Sequence, residues 1–446
     1  MANSLLTGPD PIARLLGARP MSMPQILAVA MAVALNALDG FDVLAITFAA
    51  PGIAKAWGIG PASLGAALSA GLAGMTLGSF MLSPLGDRFG RRPLILGSLV
   101  LMTIGMALTA TATGIVTLCM WRVLTGFGIG GMLATINAVA AEFSNERRRD
   151  LSVAVMTVGL PIGGLIGGFA VADLVVPYGW QSVFVLGASV SGLFLPLAWF
   201  FLPESLEFLS RQGTPEARAR IDAALARMGH PPLVGELPSV AAVVRGGNVA
   251  ALLGKRFRRV TLVLVGAYFF HIVTFYFFSG WLPKVMTDLG FSQPDAIRTS
   301  AIMSLGGVIG GSLLGWAAPR LGLLRLLVGA MVGTSISFLA FGTTSGLVTL
   351  QTIAFFAGVC VYGGIVGLYA LLARGFPPEL RVTGTGVAVG VGRGGAILAP
   401  TIGGVLIAGG LSIPLAIAIV GASSLVAAGL LLTTGTLFSV ALQKGR

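Results

Sequence analysis

The chain has 446 residues, of which 55% are hydrophobic and 10% are charged, and its formal net charge is +12. A soluble globular domain carries about 25% charged residues, so this composition excludes that class and indicates an all-α integral membrane protein with many spans. Two lone cysteines, Cys119 and Cys360, provide neither a metal site nor a disulfide framework. We therefore expect no metal and no cofactor.

Twelve apolar segments long enough to cross a bilayer follow one another along the chain. A polar stretch with five prolines separates the sixth from the seventh and predicts a cytoplasmic linker with one short amphipathic helix. We predict six-helix bundles over 1–202 and 259–446, joined by a linker over 203–258. The predicted spans lie at about 25–50, 62–85, 93–112, 115–140, 151–173, 181–202, 260–285, 297–318, 322–342, 346–372, 383–408 and 412–437.

The first span carries two acidic residues, Asp39 and Asp42, in an otherwise apolar run. A charge at the bilayer centre costs roughly 2.5–3.5 kcal/mol on insertion scales, which indicates a functional need for both. Their spacing places them on one helix face, where we expect them to reach a water-accessible chamber between the bundles. Two close, buried carboxylates resist ionisation, so we expect this pair to bind and release a proton in a proton-coupled process. The alternative is a polar pair tied to backbone or to Arg122.

The turn between spans two and three is rich in glycine, arginine and acid. The glycines permit a tight turn, the acid can accept hydrogen bonds at a helix N-terminus, and the arginines can pair with carboxylates nearby. Such contacts predict a latch that holds the two halves in one state and releases in the other. The alternative is a charge cluster that only sets topology. The predicted latch residues are Gly86, Asp87, Arg88, Gly90, Arg91 and Arg92.

Three further ionisable residues lie within spans. Arg122, nearer the outer end of span four, is predicted to act in proton coupling or as a structural partner of the aspartates. His271 in span seven is a second candidate for proton coupling, with a buried, hydrogen-bonded histidine as an equal alternative. Arg393 lies about eleven residues into span eleven, roughly 16 Å deep. Its planar guanidinium can grip a carboxylate with two hydrogen bonds, so we predict that it binds an anionic substrate, the alternative being a structural pair.

Aromatic and amide side chains complete the predicted binding site. Tyr276 in the aromatic-rich span seven, and Tyr362 and Tyr369 in span ten, can contact a substrate ring, although such clusters also serve as packing or interface residues. Asn137 and Gln351 can hydrogen-bond a substrate, and an interhelical bond is the alternative use.

The basic residues set the orientation. If both termini are cytoplasmic, 23 of the 28 Lys and Arg residues fall on the cytoplasmic side, three fall outside and two lie within spans. This bias follows the positive-inside rule and explains the net charge without nucleic acid. We expect a multi-pass protein of a bacterial-type inner membrane, surrounded by lipid and monomeric.

The two halves also match when one is shifted by 232 residues. Pro51 then meets Pro283, Arg88 meets Arg320, and Asp39 meets His271. A parallel repeat of six spans with a site at the midplane between the halves is a transporter architecture. The matching glycines are Gly74, Gly78, Gly90, Gly126, Gly131 and Gly163 with Gly306, Gly310, Gly322, Gly358, Gly363 and Gly395.

These motifs resemble those of a known superfamily. The run from Ser83 to Pro93 resembles the loop signature G-x-x-x-D-R-x-G-R-R of the major facilitator superfamily, with Ser83 replacing the first glycine. An incomplete copy of this signature in the second half, from Gly315 to Gly322, has Pro319 in place of the acid, which predicts a weaker or different latch there. Two further segments resemble motifs of this superfamily. They are the run from Arg122 to Gly130 in span four and Pro203-Glu204-Ser205 at the end of span six.

A narrower resemblance is to the aromatic acid:proton symporters. It rests on Leu38-Asp39-Gly40-Phe41-Asp42 in span one, on Trp281-Leu282-Pro283 in span seven, and on the run from Gly392 to Ile397 with Pro400 in span eleven. The resemblance implies the twelve-helix major facilitator fold and proton-coupled uptake of a benzoate, a hydroxybenzoate or a related ring-cleavage acid.

Three other functions are alternatives to this one. A proton-driven exporter is favoured by a partial antiporter signature between Gly159 and Gly164. A membrane-embedded enzyme needs clustered acids, bases or metal ligands, which the two histidines, His230 and His271, do not provide. A sensor needs an output domain, which the short linker does not supply. We therefore expect a transporter rather than an enzyme.

Overall fold

In a computed structural model, the protein is described over residues 20–145, 147–233, 249–255, 257–376 and 378–433, together with residue 16. These residues form helices and no strands, and twelve of the helices are long and apolar enough to cross a membrane. The chain is thus an all-α, multi-pass membrane protein. The first six long helices are α1 Met23–Trp57, α2 Pro61–Phe89, α3 Arg91–Ala110, α4 Ile115–Glu142, α5 Arg149–Tyr178 and α6 Gln181–Phe201.

Three short helices follow: α7 Leu206–Gln212, α8 Pro215–Arg227 and α9 Val249–Leu252. Helix α8 lies in the linker, where the sequence predicts one short amphipathic helix. The second set of long helices is α10 Arg258–Asp288, α11 Gln293–Leu321, α12 Leu323–Thr343, α13 Leu347–Gly375, α14 Pro378–Ala408 and α15 Ile413–Leu432. We call α1–α6 the N-terminal half and α10–α15 the C-terminal half.

Helix ends differ from the predicted spans by several residues. The largest difference is at α1, which continues past Pro51 to Trp57 and ends at Gly58, whose φ is 61°. A proline removes one helix hydrogen bond, but it does not have to end a membrane helix, because neighbouring groups can satisfy the freed carbonyl. The left-handed glycine ends the helix instead. The predicted end of the last span, 434–437, lies outside the described residues.

Glycines set the packing within each half, and they do so at equivalent positions. A Cβ atom added at Gly74 would lie 2.1 Å from the carbonyl oxygen of Val123, and one added at Gly306 would lie 2.0 Å from that of Phe355. Helices α2 and α4 therefore touch through their backbones as α11 and α13 do. The 232-residue shift also superposes the contact of Gly126 with Gly71 on that of Gly358 with Met303.

The two halves meet along α2 with α14 and along α5 with α11. We call the end of the molecule with the α2–α3 turn and α7–α8 the linker side, and the opposite end the far side. On the far side, Arg298 pairs with Asp173 at 2.7 Å, and the Gln293 amide donates to the Phe48 carbonyl at 3.3 Å. Among ion pairs of described residues, only Arg298–Asp173 joins the two halves. The halves are thus joined across the far side.

Candidate functional site

A cavity lies between the two halves near mid-membrane. Helices α1, α2 and α5 line it from one half, and α10, α13 and α14 line it from the other. The cavity has a volume of only about 20 Å³, which is enough for roughly one or two water molecules. The cavity is therefore closed down around its centre in this conformation.

The walls of the cavity differ in chemistry. Val43 and Leu44 of α1 face it from the N-terminal half, and their repeat equivalents, Phe275 and Tyr276 of α10, face it from the C-terminal half. Phe275 makes edge contacts with Tyr276 and Tyr362, with ring centroids 4.8 and 4.9 Å apart. One wall is thus aliphatic and the other aromatic, a pairing that suits one flat, apolar ring between them.

The three predicted tyrosines take different places. Tyr276 and Tyr362 line the cavity. Tyr369 is not in the cavity wall: its side chain is half-exposed and its hydroxyl bonds that of Tyr268 at 3.0 Å. The structure therefore brings two of the three together.

Arg393 lies beside the cavity and reaches across to the other half. Its guanidinium donates to the carbonyl oxygen of Met75 at 3.1 Å and to the hydroxyl of Ser79, both on α2. It is also close enough to Tyr268 and Tyr276 to interact electrostatically with both phenols. Because Tyr276 belongs to the cavity wall, Arg393 lies close to the aromatic wall. Its side chain is partly exposed.

Asp39 and Asp42 are buried in the N-terminal half. Neither is in the cavity wall, so the expectation that both reach a chamber between the bundles is not met in this conformation. Asp42 faces α6, because a Cβ atom added at Gly187 would lie 3.4 Å from Asp42 Oδ1. Asp39 lies one helical turn toward the linker side of Val43, which does line the cavity. No described protein atom hydrogen-bonds either carboxyl group.

Arg122 is buried next to these acids but does not bond their carboxylates. It donates to the main-chain carbonyl of Asp42 at 2.8 Å and to the Met106 sulfur at 3.3 Å, and it lies over the Phe184 ring at 5.8 Å. The expected pair of Arg122 with an aspartate carboxylate is therefore absent from this conformation.

His271 is held inside the C-terminal half. Its Nε2 lies 2.9 Å from the Val361 carbonyl, and its Nδ1 lies 2.9 Å from the Ser424 hydroxyl. A carbonyl oxygen only accepts, so Nε2 carries a proton and Nδ1 is left to the serine. Both nitrogens are used within the bundle, which matches the structural reading of this histidine.

The two amides lie away from the cavity wall. Asn137 is exposed and donates to the Leu133 carbonyl of its own helix at 2.9 Å. Gln351 lies one turn inside the far-side end of α13 and is half-buried. Neither contacts the cavity in this conformation.

The predicted latch is partly engaged, but within one half. Arg91 pairs with Glu142 at the end of α4 and with Glu207 of α7 at 2.9 Å. The main-chain nitrogens of Arg91 and Arg92 donate to the Glu204 carboxylate at 2.9 and 3.2 Å, and this anion suits the N-terminus of α3. These contacts fasten the start of the linker to the N-terminal half.

Of the other latch residues, the two charged ones lie at the surface and the two glycines are buried. Asp87 and Arg88 are exposed, and Arg88 lies over the neighbouring Phe89 ring at 5.3 Å. Gly86 packs against Leu94, and Gly90 takes a φ of 106°, which separates helix α2 from helix α3. Its repeat equivalent, Gly322, has a φ of 88°. No ion pair of described residues joins the halves on the linker side.

Three cavity-related residues were missed in the sequence. Thr47 and Ser279 both line the cavity, and they are 232 residues apart, so the repeat was a signal that would have found them. Ser79, the partner of Arg393, has no such signal, since its role depends on how α2 faces α14.

The described residues contain no group of three or more His, Cys, Asp or Glu side chains arranged to hold a metal ion. The partial antiporter signature of α5 serves packing: a Cβ atom at Gly163 would lie 1.7 Å from the Ala37 carbonyl oxygen of α1. The site therefore consists of an apolar, partly aromatic cavity, a cation beside it, and two acids nearby.

Comparison with known proteins agrees with this geometry. The family model described as Major Facilitator Superfamily matches residues 32–347 and 264–439. The chain belongs to this superfamily. It is 31% identical over 420 residues to the gallate transporter of Pseudomonas putida, which covers 94% of this chain and 93% of the relative. It is 33% identical over 427 residues to the 4-hydroxybenzoate transporter PcaK of the same organism, covering 90% and 93%.

Solved structures of the superfamily share the fold. The inward-open xylose transporter XylE of Escherichia coli matches with a TM-score of 0.72 and 17% identity, over 92% of this chain and 95% of that one. The major facilitator fold expected from the sequence is therefore confirmed, with twelve membrane helices in two related halves. The matched family and these relatives are transporters.

Proposed function

We propose that this protein imports an aromatic carboxylate together with protons by alternating access. The observation that carries the proposal is the cavity with an aromatic wall of Phe275, Tyr276 and Tyr362 beside the guanidinium of Arg393. Rings stack on aromatic walls, and a guanidinium binds a carboxylate through two charged hydrogen bonds. The names of the relatives, for gallate and 4-hydroxybenzoate, support the same substrate class.

Asp39 and Asp42 are proposed to carry the coupling proton. Both are buried, and no described protein atom hydrogen-bonds their carboxyl groups. An ionised carboxylate in such surroundings would be costly, so this arrangement favours a proton on them. Arg122 lies beside Asp42, bound to its main chain, and is proposed to stabilise the acid when the proton leaves. His271 is proposed as a structural group, because both of its ring nitrogens are already bonded.

The positive-inside rule supports a cytoplasmic linker side. Contacts that join the halves on the far side then correspond to an inward-facing state. A substrate shifts this equilibrium only through its different affinity for the two states. One proton with one monoanion moves no net charge, whereas each additional proton draws on the voltage, at about 2.3 kcal/mol per charge per 100 mV.

The remaining assignments follow from this proposal. The protein is proposed to lie in a bacterial-type inner membrane with both termini cytoplasmic, as a monomer, without cofactor, enzymatic activity or nucleic-acid partner. Asp87 and Arg88, exposed here, are proposed to engage the other half when the carrier faces outward, which would complete the latch around Arg91.

Transport by purified protein in liposomes tests the proposal. Labelled benzoate, 4-hydroxybenzoate, gallate, cis,cis-muconate and acetate are offered with the external pH lower than, equal to or higher than the internal pH. We expect accumulation of at least one aromatic acid only when the exterior is acidic. Accumulation of an aliphatic acid alone would reject the substrate class. Movement of the acid against the proton gradient would indicate the alternative antiporter.

A further inference from the structure

The hydroxyl of Ser79 occupies the position where Arg393 of one half meets α2 of the other. It accepts a hydrogen bond from Arg393 and donates its own proton to the Gly130 carbonyl of α4 at 3.0 Å. A carbonyl oxygen cannot donate, so the serine proton is committed to Gly130 and its lone pairs are left for the guanidinium. The hydroxyl is therefore oriented by the N-terminal half to receive this cation.

Close packing within the N-terminal half places both acceptors. A Cβ atom at Gly130 would lie 2.1 Å from the Met75 carbonyl oxygen, the second acceptor for Arg393. Only a glycine at this position lets α4 approach α2 so closely. Met75 and Ser79 are one helical turn apart, so their acceptors lie on the same face of α2. The guanidinium thus docks on a preformed pair of oxygens.

The same guanidinium is the group proposed to bind the substrate carboxylate, so the inference rests on the proposed function. Both hydrogen bonds from Arg393 to α2 come from Nη1, and a guanidinium has five N–H groups, so Nε and Nη2 remain for a carboxylate. We infer that Ser79 is a positioning residue, which holds Nη1 of Arg393 on α2 and so orients the Nε–Nη2 edge for the substrate carboxylate.

Ser69 provides a matched control on the same helix. Its hydroxyl also joins α2 to α14, through the Ile397 carbonyl at 2.6 Å and the Thr401 hydroxyl at 2.8 Å. These hydrogen bonds do not involve Arg393. Removing the Ser69 hydroxyl takes two hydrogen bonds from this interface and removing the Ser79 hydroxyl takes one, and only the Ser79 change takes a partner from the cation.

The test combines ligand binding with thermal unfolding of the purified full chain. Ser79→Ala is expected to weaken equilibrium binding of 4-hydroxybenzoate or gallate about three- to tenfold, because the guanidinium loses a hydrogen bond that orients it. Ser69→Ala should leave the dissociation constant within about twofold, and Ser79→Thr, which keeps a hydroxyl, should restore the wild-type value. General damage to the α2–α14 interface would weaken binding in Ser69→Ala as well.

Unfolding without substrate tests the bond itself. Ser79→Ala should lower Tm more in the wild-type background than in an Arg393→Ala background, whereas Ser69→Ala should lower it equally in both. Equal effects of Ser79→Ala in the two backgrounds would overturn the inference. So would an affinity for the aromatic acid that Ser79→Ala leaves unchanged or tightens. Failure of the wild-type protein to bind any aromatic acid would instead reject the proposed function, and the positioning role of Ser79 with it.

Discussion

Helices α1 and α10 occupy equivalent places in the two halves, yet they treat their polar residues in opposite ways. In α10, His271 has both nitrogens bonded, and the Thr274 hydroxyl bonds that of Ser423 at 2.6 Å. At the same repeat positions in α1, Asp39 and Asp42 receive no hydrogen bond from any described protein atom. Helix α10 thus bonds these polar side chains within its own half, whereas the two acids of α1 have no hydrogen-bond partner among the described protein atoms.

The comparison separates scaffold from chemistry. Glycines that let helices touch recur at equivalent positions in both halves, as Gly126 and Gly358 do. The cavity walls and ionisable groups do not recur, since one half supplies acids and an aliphatic wall and the other supplies Arg393 and an aromatic wall. A duplicated framework thus presents two buried acids from one half and a guanidinium from the other.

The largest expected effect comes from replacing the ionisable residues at the paired positions of α1 and α10. Asp39→Asn, or Asp42→Asn, should abolish accumulation of an aromatic acid driven by an inward proton gradient, because an amide cannot release a proton. His271→Gln should retain accumulation, with loss confined to stability. The steady-state ratio of internal to external substrate in liposomes measures both. Undiminished accumulation by both aspartate variants would place the proton elsewhere.

The next largest effect is the loss of stability expected when the repeated glycine contacts are overpacked. Gly126→Val and Gly358→Val should destabilise the protein alike, each at or above the upper end of about 1–3 kcal/mol for overpacking, since their Cβ atoms would meet carbonyl oxygens. Gly315→Val has open space around its Cβ and should have little effect. Apparent Tm in detergent is the measurement. A large effect in one half only would show that the halves do not share this packing.

A smaller effect is expected at the anion site. Arg393→Lys should raise the half-saturation concentration for aromatic acids about tenfold, near 1.4 kcal/mol, because lysine loses the two-pronged geometry of guanidinium. Arg374→Lys, an exposed cation near the linker-side end of α13, is the control and should match wild type. Initial uptake rates over a range of concentrations measure this. An unchanged value for Arg393→Lys would move the anion site elsewhere.

The smallest effect concerns the tether between the linker and the N-terminal half. Burial acts to raise the pKa of Glu207, but Arg91 and Arg211 outweigh it and hold that pKa below its ordinary value. The stabilisation is therefore complete above the ordinary glutamate pKa of about 4.3 and is lost as the pH falls through the lowered value. Protease cleavage of the linker should rise on acidification, and Glu207→Gln should remove that dependence.

Glu216, an exposed acid of α8, is the control for that experiment. Glu216→Gln should leave the pH dependence of cleavage as it is in the wild-type protein. Cleavage that rises equally on acidification in the Glu207→Gln protein would show that another group fastens the linker.

Local and repeated features were predictable from the sequence. Hydropathy located the twelve membrane helices, the 232-residue shift located the glycine contacts, and the aromatic cluster of α10 contained the wall residue Tyr276. Partner choice was not predictable, because it depends on how helices rotate against one another. Arg122 bonds a main-chain carbonyl rather than a carboxylate, and Arg393 bonds Ser79. Neither partner differs in residue type from many others in the spans.

A measurement of proton exchange during substrate binding tests most directly the proposal that the acids of α1 carry the proton while the C-terminal half binds the anion. Purified protein in a weakly buffered solution is mixed with 4-hydroxybenzoate or gallate while the pH of the solution is recorded. We expect the wild-type protein to exchange protons with the solution on binding, and the Asp39→Asn, Asp42→Asn double variant to bind the acid without a pH change. An equal pH change in that double variant would contradict a proton site on α1.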